Sequence, residues 1–159
     1  MIIFHADVCI KKNQILANLR SPWGKQFRVE ADVIVNARPK EVWTEVFHFS
    51  QGGDREVYGD RIPFLSVNNK GYFHFSSAVN WNKNWTWDYY FQYKKKYHIV
   101  IQQIRNTYQI WINGRCVYSR YNRGAMNFNN VKLYATERRA HPFHDGYGRL
   151  ENLKWTDNV

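Results

Sequence analysis

Tyr97-His98-Ile99-Val100-Ile101-Gln102 and, a little further on, Tyr108-Gln109-Ile110-Trp111-Ile112-Asn113-Gly114-Arg115-Cys116-Val117-Tyr118 are the stretches from which the fold is read. Tyr97, Ile99 and Ile101 alternate with His98, Val100 and Gln102, and Tyr108, Ile110 and Ile112 repeat the pattern up to Asn113-Gly114. Period-two alternation on both sides of Asn-Gly predicts an antiparallel hairpin. Both central residues of a type I′ turn need positive φ, which Asn tolerates and Gly reaches without steric cost. The turn therefore sets the register of the back half of the chain.

Working outward, Phe27, Val29, Ala31, Val33 and Val35 alternate with polar neighbours, a strand with one wet face. Further strands are expected over Val42 to Phe49, up to Val67 after Ile62-Pro63, Tyr72 to Ser77, Trp87 to Tyr93, Val131 to Ala135, and Arg149 to Trp155. Asn68-Asn69-Lys70-Gly71 turns one pair into a second hairpin. Strand signals recur roughly every ten residues with no sustained helical period, the pattern of an all-β sandwich or jelly roll. The 159 residues, without repeat or low-complexity linker, are expected to form a single domain over 1–159.

No apolar run is long enough to span a bilayer, so no membrane insertion is expected. The start, Met1-Ile2-Ile3-Phe4, lacks the features of a signal peptide. A cytosolic protein and a mature secreted domain carrying an added start Met both fit. Cys9 and Cys116 allow one disulfide or two thiols, and neither has the spacing of a zinc site. Asn84-Trp85-Thr86 is a glycosylation sequon if the chain is secreted. The net charge of +10 favours anionic partners, or serves solubility alone.

The succession Phe27-Arg28-Val29-Glu30-Ala31-Asp32-Val33, Arg61 to Val67, Tyr108 to Gly114, Val131 to Ala135, and Asp145-Gly146 leading to Gly148-Arg149-Leu150-Glu151-Asn152-Leu153 resembles the concanavalin A-like lectin/glucanase superfamily. Within it, the pattern is most similar to the laminin G-like modules. The resemblance implies a jelly-roll β-sandwich of two antiparallel sheets and an extracellular, secreted setting. It leaves lectins, adhesion modules and polysaccharide hydrolases open. Hydrolases of this kind need two carboxylates at a defined separation. Glu41 and Glu45, four apart, would lie roughly 13 Å apart on a strand. That exceeds both glycosidase geometries, so they are read as solvated face residues and no catalytic residue is assigned.

Asn80-Trp81-Asn82-Lys83-Asn84-Trp85-Thr86-Trp87-Asp88 has the composition of a sugar site, flat rings beside amides and a carboxylate. Trp81 and Trp85 are the candidates for stacking, with Asn82, Asn84 and Asp88 orienting a glycan. The plainer reading is that Trp85 and Trp87, two apart, share a core face. Lys94, Lys95 and Lys96, with Arg138 and Arg139, are the candidates for charge, and the resemblance implies sulfated, heparin-like glycans. A solvated turn is the plainer account of the lysines. The expected function is a non-catalytic, lectin-like carbohydrate-binding module with a preference for acidic or sulfated glycans. An adhesion domain binding protein partners comes second and a polysaccharide-active enzyme third. Interleaved aromatic and basic residues also suit single-stranded nucleic acid, but no nucleic-acid motif accompanies them. His141, His144 and Asp145 lie close enough in sequence to share a metal, yet Asp145-Gly146 reads better as a turn. No metal or cofactor is assigned, and the arginines beside Asp54 and Asp60 oppose calcium.

Overall fold

The computed structural model describes residues 2–4, 15–19, 22–134, 141–142 and 147–157. The strands are β1 (Ile2–Phe4), β2 (Ile15–Asn18), β3 (Phe27–Val35), β4 (Trp43–Ser50), β5 (Phe64–Asn68), β6 (Tyr72–Val79) and β7 (Asn82–Tyr90). They continue with β8 (Lys96–Ile104), β9 (Thr107–Ile112), β10 (Arg115–Tyr121), β11 (Lys132–Tyr134), β12 (His141–Pro142) and β13 (Gly148–Asp157). No helix occurs among the described residues, and none is long and apolar enough to cross a membrane.

Two sheets form. One has the order β1-β13-β3-β8-β9-β10, the other β2-β11-β4-β5-β6-β7 with β12 beside β4. All pairings are antiparallel except the short β4–β12 contact. The expected all-β sandwich of two antiparallel sheets is the observed fold.

Alternation in sequence becomes alternation of faces. Val29, Ala31 and Val33 of β3 and Ile99 and Ile101 of β8 turn inward from one sheet. Phe47, Phe49, Leu65, Val67, Phe73 and Phe75 turn inward from the other. Trp23 stacks between Phe27 and Phe49, at 5.1 and 5.0 Å between ring centroids, and joins the layers. Its Nε1–H donates to the Ile62 carbonyl at 2.5 Å, so the ring is buried with its one polar group satisfied.

The Asn113-Gly114 turn forms as expected. Asn113 has φ 51° and Gly114 φ 79°, joining β9 to β10 with Ile112 opposite Arg115. Asn113 also ties the turn to β8, its Oδ1 accepting from the His98 backbone N–H at 2.9 Å. β7 begins at Asn82, five residues earlier than the sequence suggests, because a second two-residue turn precedes it. Asn80 (φ 52°) and Trp81 (φ 65°) make that turn, and Trp81 hides the signal that Gly would have given.

In β4, a bulge between Glu45 and Phe47 lets Glu45 and His48, three apart, share the face away from the core.

Candidate functional site

The outer face of the β4–β7 sheet presents its side chains in rows set by strand register. Trp43, Asn68, Tyr72 and Tyr90 form the first row. Glu45, Ser66, His74 and Asp88 form the second, and His48, Phe64, Ser76 and Thr86 the third. Each residue sits beside its neighbour because the inward residues of the same strands are fixed in the core.

The first row is aromatic and open. Trp43 is 42% exposed and Tyr90 74%. The Tyr72 ring stands between them, 6.1 Å from Trp43 and 5.5 Å from Tyr90, both edge to face. Three strand spacings separate β4 from β7, so the row is about 14 Å wide. Beneath it, His74 lies 4.6 Å from the Trp43 ring, and its Nδ1 is 2.6 Å from Asp88 Oδ1. Partial burial, then the Asp88 carboxylate, push the Tyr72 hydroxyl above its ordinary range.

The third row is closed. Arg61, from the segment between β4 and β5, lies 4.1 Å over the Phe64 ring and donates to Asn84 Oδ1 and to Asp54. The Asp60 carbonyl sits 2.5 Å from His48 Nε2. Glu45 and His48 are buried, with 3.1 Å between Oε1 and Nδ1. Burial pushes the Glu45 carboxyl up, and His48 holds back part of that rise. Burial pulls the His48 ring down, but the hydrogen bond and charge of Glu45 outweigh it and leave His48 raised. The expectation that Glu45 is a solvated face residue is therefore corrected. Its carboxylate is buried against the His48 ring.

The candidate residues named from sequence separate along β7. Trp85 is 8% exposed, with Tyr118 at 4.9 Å and Tyr108 at 5.2 Å, and belongs to the core. Its ring presents no free face, which corrects its assignment to stacking. Trp81 is 68% exposed in the turn before β7. Asn82 is exposed beside it, its Oδ1 accepting from the Asn84 backbone N–H. Asn84 Oδ1 accepts from Arg61 and from Ser76, so its carbonyl is engaged within the protein. Asp88 faces the aromatic row near the other end of the strand. The nine residues of β7 span roughly 27 Å, so Trp81 and the lysines occupy opposite ends of the sandwich.

Lys94 and Lys95 lie in the β7–β8 loop and Lys96 opens β8. The Lys94 backbone N–H donates to Val35 and that of Phe91 to Gly71, which draws three loops to the end where Trp43 and Tyr90 emerge. Arg38, Lys40 and Lys70 are exposed on those loops and, like Lys94, have no acidic partner among the described residues. Lys95 covers the Tyr97 ring at 5.2 Å, and Lys96 pairs with Glu151 at 3.2 Å. Arg138, Arg139, His144, Asp145 and Cys9 lie outside the described residues. Cys116 is a free, half-buried thiol. Among the described residues, no cluster of His, Cys, Asp or Glu could hold a metal ion.

Sequence reasoning missed Trp43, Tyr72, His74 and Tyr90. Each was legible as a polar or aromatic position on the wet side of its strand, but only register places them in one row.

No family model matches the chain, and no curated protein matches it. Solved structures do. Over 84% of this chain and 76% of the other, it is similar to the carbohydrate-binding module CBM66 from Bacillus subtilis, at TM-score 0.52 and 14% identity. The botulinum neurotoxin serotype D binding domain matches 84% of this chain and 34% of its own, at TM-score 0.60 and 7% identity. Trypanosoma rangeli sialidase in complex with sialic acid matches 82% of this chain at TM-score 0.58 and 17% identity, and the chain spans 20% of the sialidase's length. At such identities the likeness is one of fold, a jelly-roll β-sandwich.

Proposed function

We propose that this chain is a single, non-catalytic, lectin-like module, laminin G-like and extracellular, that binds a glycan across Trp43, Tyr72 and Tyr90. The row of three half-open rings beside His74 and Asp88 carries the reading. Sugars offer apolar C–H faces between hydroxyls, and this surface offers rings with an imidazole and a carboxylate next to them. The similar CBM66 is a carbohydrate-binding module by name, which supports the class. Lys40, Lys70, Lys94 and Arg38, around the same edge, support a preference for acidic or sulfated chains.

A hydrolytic role is disfavoured on geometry. Glu45 and Asp88 share a row but stand three strands apart, about 14 Å, beyond the ~9.5 Å upper limit of an inverting pair. Glu45 is also covered. A glycan array read at two salt concentrations tests the class of ligand. Binding to sulfated or uronate-bearing glycans that weakens with salt is expected. Silence toward every glycan would leave the protein-binding adhesion role in its place.

A further inference from the structure

The end of the sandwich opposite the lysines carries a residue in an unfavourable conformation. Val79 pairs with Asn82, so Asn80 and Trp81 form a two-residue turn, both at positive φ. Gly is at ease in the second position of such a turn, whereas a bulky residue there is an outlier. Such conformations persist where the surroundings over-determine them, and they collect at functional sites.

Here the surroundings are built for it. The Asn80 backbone N–H donates to Asn122 Oδ1, its Nδ2 donates to the Tyr121 carbonyl, and its Oδ1 accepts from the Arg123 backbone N–H. Tyr58 packs 5.5 Å from the Trp81 ring and donates its hydroxyl to the Gly124 carbonyl at 2.7 Å. A Cβ on Gly124 would fall 2.8 Å from the Trp81 backbone nitrogen, so only glycine lets that loop close on the turn.

What this scaffold holds out to solvent is mostly apolar and cationic, with the exposed Glu56 carboxylate turned back onto the Asp54 and Arg55 backbone N–H groups. Trp81 is 68% exposed, Tyr121 59%, Val57 54% and Met126 40%, on adjoining loops and the end of β10. Arg55, Arg105, Arg120 and Arg123 are exposed around them with no acidic partner among the described residues. Lys83 reaches the Glu56 carbonyl, and Asp54 is paired with Arg61. Two of the amides at this tip are spent within the protein, Asn80 on the three bonds above and Asn122 on Asn80, Gly124 and Gln103, while the exposed Asn82 engages its Oδ1 with the Asn84 backbone N–H.

We propose that this end docks on an anionic lipid surface, Trp81 entering at headgroup depth and the arginines meeting the phosphates. Trp and Tyr favour the membrane–water interface, and basic side chains add attraction to anionic lipid. This surface is independent of the glycan row, which lies at the other end.

Vesicles of phosphatidylcholine with and without phosphatidylserine, some with dibrominated acyl chains, test it. The full chain is expected to sediment with the anionic vesicles, and bromine should quench its tryptophan emission. Trp81→Gly restores Asn-Gly turn chemistry, so it should fold with an unchanged or higher melting temperature. It should lose the bromine quenching and bind at least ~10-fold more weakly. Replacing Arg105 and Arg123 by Gln should weaken binding about five-fold for each charge, while K94Q/K95Q/K96Q keeps the quenching. Equal quenching in the parent and W81G, or no sedimentation with anionic vesicles, would overturn the proposal. So would loss of glycan retention in W81G when the parent ignores vesicles, which would make the tip a sugar contact.

Discussion

Trp81 and Trp85 stand four residues apart and meet opposite fates, and nothing in their immediate sequence separates them. The turn at Asn80-Trp81 points one ring into solvent, while register with Ser77 places the other against Tyr108 and Tyr118. Composition marks the segment as unusual, but only the position of the turn, which leaves Trp81 outside β7, decides which ring is free. Trp85→Ala removes a core ring and should lower stability by about 3–5 kcal/mol, seen as a large drop in the urea midpoint. A change below ~1 kcal/mol would mean that Trp85 is not a core residue. Asp32 gives a second prediction at this scale. Burial disfavours its charge, but Asn152 and His98 bond its carboxylate and hold it below the usual range. A depressed carboxylate contributes stability that is complete above its unfolded value, ~3.9, and is lost as pH falls through the folded one. Asp32→Asn should therefore flatten the acid limb of the stability curve below about pH 4. An acid limb identical to the parent's would reject that role.

Strands are the most legible level, because a two-residue period survives in sequence wherever one face is buried. β3, β8 and β9 follow their alternation closely, and the β9–β10 turn is written in Asn113-Gly114. The start of β7 is hidden, since Trp81 occupies the place where glycine would announce the turn. The β4 bulge is likewise invisible in sequence, so Glu45 and His48 read as opposite faces when they share one. Gly114→Ala tests the turn that organises this half. At φ 79° an alanine is strained, a cost of about 1–2 kcal/mol. Nothing lies within 4 Å of the added Cβ, so the loss reports backbone conformation alone. An unchanged urea midpoint would mean that the turn takes another form.

The whole molecule distributes what its sequence concentrates. The lysine run is readable, as is a surplus of positive charge, but not that Arg38, Lys40 and Lys70 from two other loops join the run beside Trp43 and Tyr90. That convergence depends on long-range register, which no local pattern encodes. K94Q/K95Q/K96Q should lower heparin retention and its salt dependence while the melting temperature barely moves, since these side chains are exposed. Retention equal to the parent's would remove the lysines from the site. Whether the first row of the β4–β7 sheet is the glycan surface is measured most directly by calorimetric titration. An array-positive oligosaccharide would be titrated into the parent, Tyr90→Ala and Trp43→Ala. Each substitution should weaken binding by about 10-fold or more, the loss of ~1.4 kcal/mol from one stacking ring, with the fold intact by circular dichroism. Affinities equal to the parent's in both folded variants would contradict the account.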